Sequence, residues 1–200
     1  MLRKEYSAGA VKLSFWFSEF RKVISLLCSG KQLPEIKLMA VAENLFSAKT
    51  ALRASQIMNT VAVRVFALPA EFYSVFETNS LEVQKLINLI SIMNTDSLFF
   101  TFIYEVYREK LITGDNLLAD ADVRVFFMNK QRESEKVAGW TDETLIRLQK
   151  CYKTYLSEAG LLERGVGSRK IIRPLLDDNI AKLLAGNDME LISHTLTGTR

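Results

Sequence analysis

The sequence predicts a mostly α protein, a multi-helix bundle with helix-turn-helix character and a winged-helix-like hairpin near the C-terminus. Three observations carry this. Apolar residues recur near a 3.6-residue period in one segment after another. Breakers are scarce, with nine glycines and three prolines in 200 residues, so no long disordered linker is expected. The period changes only after Gly160, where short apolar pieces flank the turn Gly165-Val166-Gly167-Ser168.

Taken in order, Val11, Phe15, Phe20, Val23, Ile24 and Leu27 mark a first helix over about Ser7–Ser29, stopped by Gly30. Leu33-Pro34 opens a second, because proline in the first turn removes an N–H that has no helical partner; its stripe reads Leu38, Val41, Ala42 and Leu45. A third, over about Lys49–Leu68, has stripe Ala51, Met58, Ala62 and Val65 and ends at Pro69. Ser80 and Asp96 are caps for a fourth helix along Val83, Leu86, Ile87 and Ile90, and a fifth along Phe99, Phe102, Val106 and Lys110. The break at Thr113-Gly114-Asp115-Asn116 precedes a sixth helix over about Asp120–Arg132. Thr141 caps a seventh, whose first turn carries Asp142 and Glu143 at the positive end of its dipole and whose stripe is Leu145, Leu148, Tyr152 and Leu156. Leu161-Leu162 and Lys170-Ile171-Ile172 are then the strands of a hairpin, closed by Pro174, and a short helix near Asp177–Leu184 precedes a polar tail.

Composition bounds the function. With 48% hydrophobic residues the chain can bury a sizeable core. The polar stretch Asn129–Gly139 predicts a boundary between a helical domain, 1–135, and a C-terminal winged-helix-like region, 136–200. Cys28 and Cys151 are far apart without Cys or His neighbours and read as buried thiols; the single histidine, His194, has no partner at ligand spacing, so no metal site is expected. Charges at Glu19, Arg21 and Lys22 interrupt the segment a secretory leader would need. Asp96 and Glu105 bound the most apolar run, Leu98–Tyr104, well short of the roughly 20 residues of a membrane span, so the expectation is a cytoplasmic protein with no membrane partner. A net charge of +3 means that any polyanion surface must arise from uneven distribution.

Two such surfaces stand out. On the third helix Lys49, Arg53, Gln56, Thr60 and Arg64 recur at helical spacing without an acid, following a helix and a short turn as a recognition helix does. On the seventh, Arg147, Lys150 and Lys153 precede a hairpin carrying Arg164, Arg169, Lys170 and Arg173: a helix followed by a basic wing. The expected partner is double-stranded DNA held mainly through phosphates, against the plain alternative of solvated surface charge. No phosphate-cradling loop, paired zinc histidines, nucleophile elbow or dinucleotide fingerprint is present, so neither catalysis, a cofactor nor a small-molecule substrate is expected. Glu19, Glu35 and Glu43 read as surface or interhelix salt bridges, and Phe15, Trp16, Phe17 and Phe20 as core.

The order of these features, an early helix with Glu19, then Glu43-Asn44-Leu45 before a helix carrying Arg53 and Arg64, then Thr141–Leu162 ending in Ser157-Glu158-Ala159-Gly160-Leu161-Leu162, resembles the BrxA family. That family belongs to the BREX phage-defence systems of bacteria and was once labelled putative inner-membrane protein. The resemblance implies a helical, non-catalytic DNA-binding accessory subunit that works beside other BREX proteins, a methyltransferase and ATPases. It also supplies one alternative, RNA binding of the kind the NusB antitermination factor performs; a further alternative is a protein-interaction scaffold within the defence complex.

Overall fold

The computed structural model describes residues 5–199, and its contacts divide the chain into two compact units, residues 15–95 and residues 1–14 with 96–200. The boundary expected near Asn129–Gly139 lies inside the second unit. There Lys130 is buried and its ammonium bonds Glu105 at 2.7 Å and Glu133 at 2.6 Å. Burial alone would lower the pKa of Lys130, but the two carboxylates outweigh it and hold the pKa above its usual value.

The first unit is built from five helices: α1 (Phe17–Cys28), α2 (Leu33–Ala42), α3 (Ala51–Phe66), α4 (Glu71–Thr78) and α5 (Leu81–Thr95). Thr50 caps α3 by accepting from Arg53 N. The α2–α3 turn is held by Asn44, in left-handed backbone at φ 48°, whose side-chain amide clamps Ala48 through two hydrogen bonds of 2.8 and 3.0 Å. Phe20 and Phe76 meet edge to face at 5.5 Å in the core, beside the buried Ile24, Ile36, Val61, Val65 and Ile87.

The structure corrects several expectations here. The buried residues of α2 are Ile36 and Ala40, while Leu38 and Val41 are exposed. The segment LPEIKLMAVA is apolar on more than one side, so periodicity cannot choose the face. Ala51 is exposed at the open start of α3. Cys28 is exposed and Cys151 half-buried, its thiol donating to Ala10 O at 3.2 Å. Helix α4 was not anticipated; Phe72 and Phe76 are its buried residues.

In the second unit, α6 (Ser97–Phe102) runs through a π turn (Ile103–Tyr107) into α7 (Arg108–Thr113), which Gly114 ends in left-handed backbone. Strand β1 (Leu117–Leu118), α8 (Asp120–Glu133), α9 (Glu135–Ala138) and α10 (Asp142–Glu158) follow, then β2 (Arg169–Lys170), α11 (Asp178–Gly186) and α12 (Glu190–Thr197). Asp96 caps α6 through Phe99 N and Thr141 caps α10 through Thr144 N, as their positions predict. Leu145, Leu148, Tyr152 and Leu156 are all buried, and Tyr152 meets Phe99 at 4.9 Å and Phe127 at 5.8 Å between ring centroids.

The expected strand pieces pair. Leu162 bridges Ile171 antiparallel, Glu163 N donates to Lys170 O at 2.9 Å, and Ile172 N donates to Leu161 O at 2.9 Å. On the other side β2 pairs with β1, Leu117 opposite Lys170 and Leu118 opposite Arg169. Too short to read from sequence, β1 forms a two-stranded sheet with β2, and the Leu162–Ile171 bridge flanks it. Among the described residues no single helix is long and apolar enough to cross a membrane.

Candidate nucleic-acid interface

Helix α10 divides its charges by depth. Its outward stripe is Arg147, Lys150, Thr154 and Ser157, spaced by three or four residues and therefore aligned along one face. Arg147, Lys150 and Thr154 are exposed and Ser157 is half-buried. Arg147 pairs with Glu143 one turn earlier at 2.5 Å, both side chains more than half exposed. Such a surface pair is worth only about 0.3–0.5 kcal/mol, so a phosphate competes for that guanidinium at little cost.

Lys153 leaves this surface. It is 8% exposed, and its ammonium is ion-paired with Asp120 in the first turn of α8. The hydrogen bond from Lys153 holds the Asp120 carboxyl below the usual carboxylate range, against a smaller opposing effect of burial. Sequence spacing cannot distinguish a lysine that stays in water from one whose head reaches an acid on the neighbouring helix.

The hairpin continues the stripe. Arg169 is half-buried and its Nη1 donates to Ser157 Oγ at 3.2 Å, while Ser157 Oγ donates to Glu163 O at 3.3 Å. The last turn of α10 is thus tied to the base of the hairpin. Arg164 and Lys170 are exposed. Arg173 is exposed, but its guanidinium donates to Leu111 O at 3.1 Å, so it braces the segment after β2 against α7. Arg124, exposed on α8 and electrostatically coupled to Asp120, joins this side of the unit, and its signal in the sequence was its position one turn after Asp120.

The α3 surface is smaller than its spacing predicts. Lys49, Arg53 and Gln56 are exposed and Thr60 is half-buried, but Arg64 is 2% exposed and donates to Phe15 O at 2.8 Å, beside Asn88, which donates to the same carbonyl at 3.0 Å. Arg53 and Arg64 both lie over the Trp16 ring, at 5.2 and 5.7 Å. A longer exposed stripe on α3 is Leu52, Gln56, Asn59, Val63 and Phe66, which carries no charge. Among the described residues no group of three His, Cys, Asp or Glu side chains is placed to hold a metal ion.

Fold and surface define a helical protein whose C-terminal unit presents a helix and a hairpin rich in arginine and lysine. The chain matches the model of the BrxA family over residues 4–188, and the BREX protein BrxA of Bacillus cereus (strain H3081.97) is 41% identical to it over 166 residues, 83% of each chain. It belongs to the BrxA family. The crystal structure of an uncharacterized protein from Magnetospirillum magneticum has the same fold, with a TM-score of 0.79 at 16% identity over 98% of this chain and 100% of that one.

Proposed function

We propose that this protein is a non-catalytic DNA-binding accessory subunit of a BREX phage-defence system, contacting duplex DNA mainly through phosphates. The observation that carries the reading is the stripe Arg147–Lys150–Thr154–Ser157, whose one acidic neighbour along that face is the exposed Glu143, continued through Arg169 into the exposed Arg164 and Lys170 of the hairpin. The reading is supported by the order α7, β1, α8, the short α9, α10, the Leu162–Ile171 bridge, loop and β2, with β1 on the far side of β2, which resembles the order of a winged helix. In that arrangement α10 is the helix that meets the major groove and the hairpin is its wing. Exposed Lys49, Arg53 and Gln56 are a second, weaker candidate surface on the other unit. The printed name of the Bacillus cereus relative supports the place in a BREX system, where a methyltransferase and ATPases are the partners to expect.

An electrophoretic mobility series on the full chain, with duplex DNA, single-stranded DNA and looped RNA at several salt concentrations, tests the reading. The expected result is a shift strongest with duplex DNA that weakens steeply as salt rises. Preferential binding of looped RNA would replace it with a NusB-like function, and an unshifted duplex with intact defence would leave a scaffold role.

A further inference from the structure

The hairpin tip holds a side chain that neither the fold nor phosphate binding accounts for. Val166 is 92% exposed between Gly165 and Gly167, whose φ angles of 148° and 70° belong to glycine. A Cβ on either glycine would meet nothing within 4 Å, so they serve the backbone path rather than space. The result is a slender tip whose one side chain between the glycines is a valine, at a position where turns favour Gly, Asn, Asp or Ser. Arg164 before it and Arg169 and Lys170 after it are all drawn from the basic surface.

We propose that this tip enters the minor groove of A·T-rich duplex DNA, Val166 lying against the groove floor and Arg164 along its wall; the inference deepens the duplex-binding reading and rests on it. A minor groove about 6 Å wide admits a slender tip and excludes a helix. Its floor discriminates by one group, the exocyclic N2 amine of guanine. Valine offers that amine no acceptor, so a G·C pair loses hydration there without compensation, whereas an A·T floor has no amine to bury. Narrow A·T tracts also deepen the negative potential that draws Arg164.

The test compares short A·T, G·C and inosine·cytosine duplexes. Inosine·cytosine keeps the major-groove edge of G·C and lacks the minor-groove amine. The expected result is roughly three- to tenfold tighter binding to A·T and inosine·cytosine than to G·C. Val166→Ser, at an exposed position and checked for native helicity by circular dichroism, should erase that difference and keep the salt slope, because no charge is lost. Arg164→Ala should flatten the slope by about 1. Inosine·cytosine binding like G·C, or equal binding of all three duplexes by the parent, overturns minor-groove entry while leaving duplex binding intact. A parent that binds no duplex at any salt concentration overturns the proposed function, and this inference with it.

Discussion

Two lysines one turn apart on α10 do opposite work. Lys150 keeps its ammonium in water, while Lys153 buries its stem and pairs its head with Asp120. Replacing Lys153 by Met keeps the stem's volume and removes the charge-assisted bond, which should cost about 1–3 kcal/mol in urea unfolding. The sign with pH follows from Asp120, whose folded pKa lies below its ordinary 3.8. The bond's contribution is complete above that value and is lost as pH falls through the lower folded one. The stability gap between parent and Lys153→Met should therefore be full at neutral pH and shrink below about pH 3.8; a gap constant through that range would place the effect in packing alone. DNA affinity should not follow this variant.

Arg64 shows why a residue's angular position does not fix its depth. Eleven residues separate Arg53 from Arg64, close to three helical turns, so both sit on one face of α3 and the same spacing predicts both as exposed. Exposure holds for Arg53 only. The carbonyl of Phe15 and the ring of Trp16 cover the far end of that face, and Arg64 becomes a buried donor. Nothing in the periodicity of α3 encodes a segment nearly fifty positions earlier.

At the scale of elements, what was legible in the sequence is what local chemistry dictates. α10 was readable end to end, because a Thr141 cap, a clean apolar stripe and Gly160, here at φ 82°, all agree. The hairpin was readable through its glycines and its two apolar pieces. β1 was not, since two residues leave no period and their pairing depends on β2 fifty positions later. α12 reads as a polar tail because its Ser, Thr and His residues are weak helix formers, yet Ile192, Thr195 and Leu196 are buried along it. α2 is the case where pattern and packing disagree, and it yields a direct test. Ile36→Ala should cost about 2–5 kcal/mol through the cavity it opens, while Leu38→Ala should stay within about 0.5 kcal/mol because Leu38 is 71% exposed. Equal losses in chemical denaturation would mean that the stripe read from sequence is buried in solution.

For the whole molecule, a net charge of +3 is too small for general attraction to a polyanion to explain tight binding, so affinity must come from a few placed cations. Arg147, Lys150, Arg164 and Lys170 are the exposed cations of α10 and the hairpin, and about four neutralised phosphates correspond to a logarithmic salt slope of roughly −3 to −4. Removing Arg147 and Lys150 together by alanine substitution should flatten that slope by about 2 and weaken binding uniformly across sequences. The first unit provides the control. Lys49→Glu with Arg53→Glu reverses charge on α3, but Arg64 is already buried there and the exposed stripe Leu52, Gln56, Asn59, Val63 and Phe66 is apolar and amide. With native helicity and melting temperature verified, this double exchange should leave duplex affinity within about threefold of the parent and the slope unchanged if α10 and the hairpin alone carry the phosphate contacts. A loss of tenfold or more in a folded protein would mean that α3 also meets DNA, and the count of contacts drawn from the slope would then have to include both units.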